Sequence, residues 1–166
     1  DLVLSKHISF ICKELQSIGQ RILAKDDFIE DWFIFNVPPG SSKSSIVSIM
    51  LPSWLLANNP SLFIINTSYS DMLATGFIRK SKQITQSKAF EEVFGKIELT
   101  KDNEGFFETT QGGGRFATST GGTITGSHSN LIIVDDPLSV EQSYSQAHID
   151  RANRYLTETI PSRVRD

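Results

Sequence analysis

The sequence predicts an α/β domain of three layers, with a mainly parallel central sheet and a small antiparallel extension. Three observations predict it. Short, nearly continuous apolar runs at Trp32–Val37, Leu62–Asn66 and Leu131–Val134 have the character of strands covered on both faces. Between them lie segments whose apolar residues recur at helical spacing, the alternation that builds a parallel sheet. Residues 96 to 119 break that rhythm into short runs separated by Asp102-Asn103 and Gly112-Gly113-Gly114, as an antiparallel meander does.

Bulk properties narrow the class. With 166 residues, 39% of them hydrophobic, the chain can bury one sizeable core, so residues 1–166 read as a single domain. A net charge of −3 argues against tight autonomous binding of nucleic acid. The one cysteine, Cys12, excludes an internal disulfide framework and a cysteine-based metal site, and suits a reducing compartment. No apolar run approaches the roughly 20 residues of a membrane span, and nothing at the start reads as a signal peptide. The start at Asp1 and the charged segment at Asp166 suggest part of a longer protein.

Taken in order, Leu4, Ile8, Ile11, Leu15, Ile18 and Ile22 mark one face of an amphipathic helix over residues 2 to 24, with Gly19 weakening its end. Lys25-Asp26-Asp27 is a polar break before the strand Trp32–Val37. A helix over Ser44–Leu56 is apolar almost all round and should be buried, with a kink or early stop at Pro52. After the strand Leu62–Asn66, Ser70 or Asp71 caps a helix running to Thr85, with Leu73, Phe77, Ile78 and Ile84 inward. Val93-Phe94-Gly95 closes a short helical piece. The Gly-rich link Gly121–Gly126 leads to the strand Leu131–Val134. A last helix over Glu141–Thr159, with Tyr144, Ala147, Ala152, Tyr155 and Leu156 on one side, ends at Pro161.

Two segments carry candidate chemistry. Phe33 to Ser45 reads as strand, tight turn, Lys43-Ser44 and helix, an arrangement that holds phosphate groups. Backbone N–H groups and the positive helix end face the anion, Lys43 adds a charge and the Ser44 hydroxyl reaches a metal ion. A standard phosphate loop has Gly at the positions of Val37 and Ser42. The second segment is Leu131–Val134 followed by Asp135-Asp136, which puts two carboxylates at the carboxyl end of a buried strand, where ligands bind in open α/β sheets. In a nucleotide site Asp135 would hold Mg²⁺, largely through its waters, and Asp136 would polarise the attacking water. The alternative is a solvated strand end before a turn. The pairing of the two segments in one α/β chain favours a nucleoside triphosphate site.

Asn36-Val37-Pro38-Pro39-Gly40-Ser41-Ser42-Lys43-Ser44 resembles the deviant Walker A loop of tailed-phage (or prophage) terminase large subunits, where N-x-P-P-R-x-x-K-S is frequent. Further matches follow in order: Tyr69-Ser70 with Leu73-Ala74, Gly122–Gly126, the Walker B-like Leu131–Pro137, and Glu158–Arg163. The resemblance spans essentially residues 1–166. It implies an ASCE-type P-loop NTPase fold and the N-terminal ATPase domain of a DNA-packaging motor, without the coupling motif and nuclease domain of the full protein. The implied cofactors are ATP and Mg²⁺. The implied partners are double-stranded DNA, the portal protein, the small terminase subunit and further copies in a ring on the portal, with no membrane. The implied location is the bacterial host cytoplasm and, transiently, the viral procapsid. Position by position, Pro39, Gly40, Ser41, Ser42, Lys43, Ser44 and Ser45 form the nucleotide loop and Lys43 binds the β- and γ-phosphates. Ser44 and Asp135 hold Mg²⁺, Asp136 stands at the catalytic carboxylate, commonly Glu, and His7 lies near the adenine.

The resemblance has departures. Gly40 and Ser127 stand where relatives often carry arginines, which removes charge stabilisation of the transition state. Arg79 and Arg115 remain as candidate arginine fingers, against the simpler reading of solvated surface residues. Arg79, Lys80, Lys82 and Lys88 form a basic cluster that suits DNA or an ordinary exposed helix face. His128 and His148 lack ligand spacing, Asp26-Asp27 and Glu91-Glu92 read as surface charge, and Gly112–Gly114 as turn chemistry. A non-catalytic remnant or scaffold domain, and another ASCE ATPase such as a helicase, remain open readings.

Overall fold

The computed structural model describes residues 5–25, 32–122, 124 and 128–164; Leu4, Asp26, Asp27, Thr123, Thr125, Gly126 and Ser127 lie outside them. The first helix, α1 (Lys6–Ala24), follows the spacing of its apolar residues and buries Ile11, Leu15 and Ile18. Gly19 has a packing reason. A Cβ there would sit 2.5 Å from the ring of Trp54, so the glycine admits a neighbouring helix, and α1 continues past it to Ala24.

The apolar run Trp32–Val37 is not a strand. Residues 32–38 pair with nothing in the sheet, whose strands among the described residues begin at Phe63. Phe35 and Val37 pack on the core while Trp32 and Ile34 stay exposed. An apolar run reports that side chains seek burial, and says nothing of a hydrogen-bonding partner for the backbone. A cleft of about 520 Å³ is lined both by Trp32–Asn36 and by Leu131–Val134, so the two runs share a hollow instead of pairing.

Pro52 neither stops nor breaks the next helix. Residues Ser45–Met50 form a π-helical turn, and α2 (Leu51–Asn58) carries on from it with Pro52 in its first turn. A proline is tolerated there because its missing N–H would have served the preceding turn, which has already changed its bonding pattern. Then come β1 (Phe63–Ser68), α3 (Asp71–Thr85) and α4 (Lys88–Phe94). The Ser70 hydroxyl caps α3 by accepting from the Leu73 N–H at 3.3 Å.

Strands β2 (Leu99–Asp102), β3 (Phe106–Thr109), β4 (Gly114–Ser119) and β5 (Leu131–Val134) complete a five-stranded sheet in the order β2-β3-β4-β1-β5. β2, β3 and β4 pair antiparallel, but β4 also lies parallel to β1, from Phe63 opposite Gly114 to Ser68 opposite Ser119. The last strand of the expected meander is therefore part of the central sheet. β5 is parallel to β1 on its other side. The domain is thus a mixed α/β fold with parallel strands at its centre.

The chain after β5 departs from a single helix. It forms α5 (Gln146–Arg154), a π-helical turn Tyr155–Thr159 and a 3-10 turn Pro161–Arg163. Tyr144, expected inward, is 86% exposed, and Ala147 is exposed too; Ala152 and Tyr155 are buried as expected.

Strand alternation explains the two-sided core. Ile64, Leu131 and Ile133 pack with Ile11, Leu55 and Ile78 of α1, α2 and α3, whereas Phe63, Ile65, Phe116, Ile132 and Val134 pack with Tyr155, Leu156 and Ile160. Each fully buried aliphatic of this kind contributes about 1.5–3 kcal/mol over leaving it in water. Among the described residues no helix is long and apolar enough to cross a membrane.

Candidate functional site

The two sheet ends are tied by backbone bonds. The Asp135 N–H donates to Thr67 O at 2.8 Å, and the Tyr69 N–H donates to Asp136 O at 3.0 Å. Both carboxylates therefore sit at the carboxyl end of the parallel strands, where an open α/β sheet presents its ligand crevice.

The turn at Pro38–Ser42 delivers the helix to the same place. Gly40 has φ 76° and Ser42 has φ 63°, two left-handed residues that reverse the chain before Lys43. Ser42 occupies a position where a phosphate loop carries glycine, and its backbone takes the conformation that glycine adopts freely. A Cβ at Gly40 would meet no atom within 4 Å, so the loop backbone is open on that side. The first N–H groups of the following helix lack intrahelical acceptors by geometry and can face an anion.

Lys43 joins the two segments. Its Nζ is 2.6 Å from Asp136 Oδ1 and 3.5 Å from Asp135 Oδ1. Partial burial alone would lower its ammonium; the hydrogen bond and charge of Asp136, then Asp135, outweigh that and hold it above its ordinary value. Asp136 has φ 48°, a left-handed backbone that aspartate, like asparagine, tolerates better than most residues, and its side chain is open to solvent.

Asp135 is 5% exposed and accepts a hydrogen bond from Ser48 Oγ at 2.8 Å through Oδ2. Ser48 lies one helical turn beyond Ser44, the serine that the sequence assigns to the metal ion together with Asp135. Arg115 Nη2 donates to Ser48 O at 2.9 Å and also to Asn66 Oδ1. Arg115 is fully buried, which overturns both readings of it as a surface residue and as a finger. Its place on β4 opposite Ile64 turns it into the core. Burial pushes its guanidinium down to about 9, so it stays charged at neutral pH.

The remaining expected site residues divide. Pro39, Gly40 and Ser42 are exposed on the turn, Ser45 is exposed at the start of the π-helical segment, Ser44 is half-buried, and the Ser41 hydroxyl is buried without a partner. His7 lies on the exposed side of α1, with Nδ1 3.1 Å from Ser5 Oγ, and does not line the cleft beside Lys43. Arg79 pairs with Glu104 at 3.8 Å and Lys82 with Asp102, so acids of the β2–β3 hairpin offset half of the basic cluster. His128, His148, Glu91 and Glu92 are exposed.

Among the described residues no three His, Cys, Asp or Glu side chains converge as a metal cage. One buried carboxylate, a neighbouring serine and an open loop instead suit Mg²⁺, which keeps most of its waters and takes phosphate oxygens. The orphaned Ser41 hydroxyl and the open space at Gly40 fit a loop that accepts an anion. Ser48 and Asn66 are absent from the residues the sequence singles out, and Arg115 is among them only as a candidate finger. Ser48 had a signal, its position four residues after Ser44 on one helix face; the contact of Asn66 with Arg115 had none, because it depends on the β1–β4 register.

No protein-family model matches the chain, and no curated protein or solved structure is found similar to it.

Proposed function

We propose that this domain binds a nucleoside triphosphate, ATP, with Mg²⁺ and hydrolyses it as a P-loop ATPase of the ASCE type. One observation carries the reading: Lys43, at the start of the helix that follows the turn, is held by two carboxylates at the end of a parallel strand. That is the pairing of cation and acids such a site needs. Lys43 and the N–H groups of Gly40–Ser45 would bind the phosphates, and Ser44 with Asp135 would hold the ion. Mg²⁺ would supply charge neutralisation at the phosphates. Asp136, open to solvent, is the group to orient the attacking water.

The ordered likeness of residues 36–44, 122–126 and 131–137 to terminase large subunits extends this to a role. In that role ATP hydrolysis powers translocation of double-stranded viral DNA into a procapsid, with the portal protein, the small terminase subunit and neighbouring copies as partners. A second reading, a remnant that binds nucleotide without turnover, is favoured by the arginines: Gly40 supplies none, Arg79 is paired and Arg115 is buried. A thermal-shift titration with Mg-ATP tests binding. Ligand at 100 times its dissociation constant adds about 2.7 kcal/mol, and phosphate release then separates the ATPase from the remnant. No shift at millimolar Mg-ATP would remove both readings.

A further inference from the structure

Arg115 is the largest fully buried side chain among the described residues, yet it makes no ion pair there, and its Nε and Nη1 are buried without partners. A buried guanidinium in that state is costly, and packing alone would be better served by an apolar residue. What it does hold is specific. Ser48 lies in the π-helical turn that runs into Pro52, a residue with no N–H to give to the preceding turn. Arg115 Nη2 donates to the Ser48 carbonyl at 2.9 Å and is itself braced by Asn66 Oδ1. The same Ser48 donates its hydroxyl to Asp135 Oδ2 at 2.8 Å, while Oδ1 of that carboxylate points to Lys43.

We infer that Arg115 and Ser48 are positioning residues for Asp135. The guanidinium of Arg115 fixes the helical turn at Ser48, and the Ser48 hydroxyl fixes the rotation of the Asp135 carboxylate, so that Oδ1 is presented to a bound cation. The inference rests on the nucleotide reading above and deepens it. It makes metal coordination depend on a residue of β4, with β1 between it and β5, through the carbonyl of Ser48. Groups that orient a metal-binding side chain typically change metal affinity about 10–100-fold when removed.

The test is binding of a fluorescent ATP analogue to the whole 166-residue chain, with EDTA and with Mg²⁺, for wild type, Ser48→Ala and Arg115→Met, each checked for folding by circular dichroism. The expected result is that the tightening by Mg²⁺ falls about 10-fold or more in both variants, while metal-free affinity stays at the wild-type value. If Arg115→Met does not fold, Ser48→Ala decides alone, since it removes one hydroxyl. Mg²⁺ tightening left intact in Ser48→Ala overturns the inference. An equal loss of metal-free binding, which general damage to the site would give, also overturns it. Wild-type protein that binds the analogue under neither condition defeats the nucleotide reading and this inference with it.

Discussion

Lys43 Nζ lies 2.6 Å from Oδ1 of Asp136, a residue 93 positions further along the chain. No local structure brings them together. The meeting requires the turn at Gly40–Ser42 to aim the helix start at the end of β5, and β5 to lie beside β1.

That ion pair has a pH signature. Lys43 is held above its ordinary 10.5, so the pair contributes stability in full below that pH and loses it as pH rises through the folded-state value. Asp136→Asn keeps a residue tolerant of the left-handed backbone and removes the charge. Because Asp136 is exposed, the cost at pH 7 should be about 0.5 kcal/mol. Urea unfolding should show the difference between variant and wild type shrinking above pH 10.5.

The loop conformation predicts opposite effects at neighbouring positions. Ser42→Gly relieves a φ of 63° and should stabilise by about 0.5 kcal/mol, the steric relief exceeding the entropy cost of glycine. Gly40→Arg restores the arginine of the resembled motif but places a side chain at φ 76°, and should cost about 1 kcal/mol. Urea midpoints at unchanged slope would check both.

Two further glycines separate space from conformation. A Cβ on Gly113 would fall 2.2 Å from Pro60 O and 2.5 Å from Leu62 O, so Gly113→Ala must push backbone from backbone and should cost about 3 kcal/mol or more. Gly76, inside α3, would meet nothing within 4 Å, and Gly76→Ala should stabilise by about 1 kcal/mol. Thermal melts of the two variants should move in opposite directions.

Much of this architecture was legible in the sequence. The spacing of Ile11, Leu15 and Ile18 marked α1, Ser70 marked the start of α3, and Leu131–Val134 followed by Asp135-Asp136 marked β5 and its acidic end, because each signal is local and its burial one-sided or complete. Trp32–Val37 misled because side-chain hydrophobicity carries no record of strand pairing. Tyr144 misled because a helical period was extended across Ser145, where the backbone is extended at φ −105°, ψ 116°. Arg115 misled because a charged residue is read as solvated unless its strand register is known; opposite Ile64 it has only the core to enter. In the site, Lys43, Asp135 and Asp136 were recoverable from motif spacing. The Ser48–Arg115–Asn66 support was not, since it joins a helix to two strands.

In the proposed function Lys43 leaves Asp136 and binds the phosphates of a nucleoside triphosphate. Calorimetric titration of Mg-ATP into wild type and Lys43→Ala decides this. Saturable binding to wild type is expected, with a loss of about 10-fold or more in affinity for the variant, given the roughly 1.5–3 kcal/mol of a hydrogen bond to a charged group. Equal affinity in the two proteins, or no binding to wild type, would contradict it.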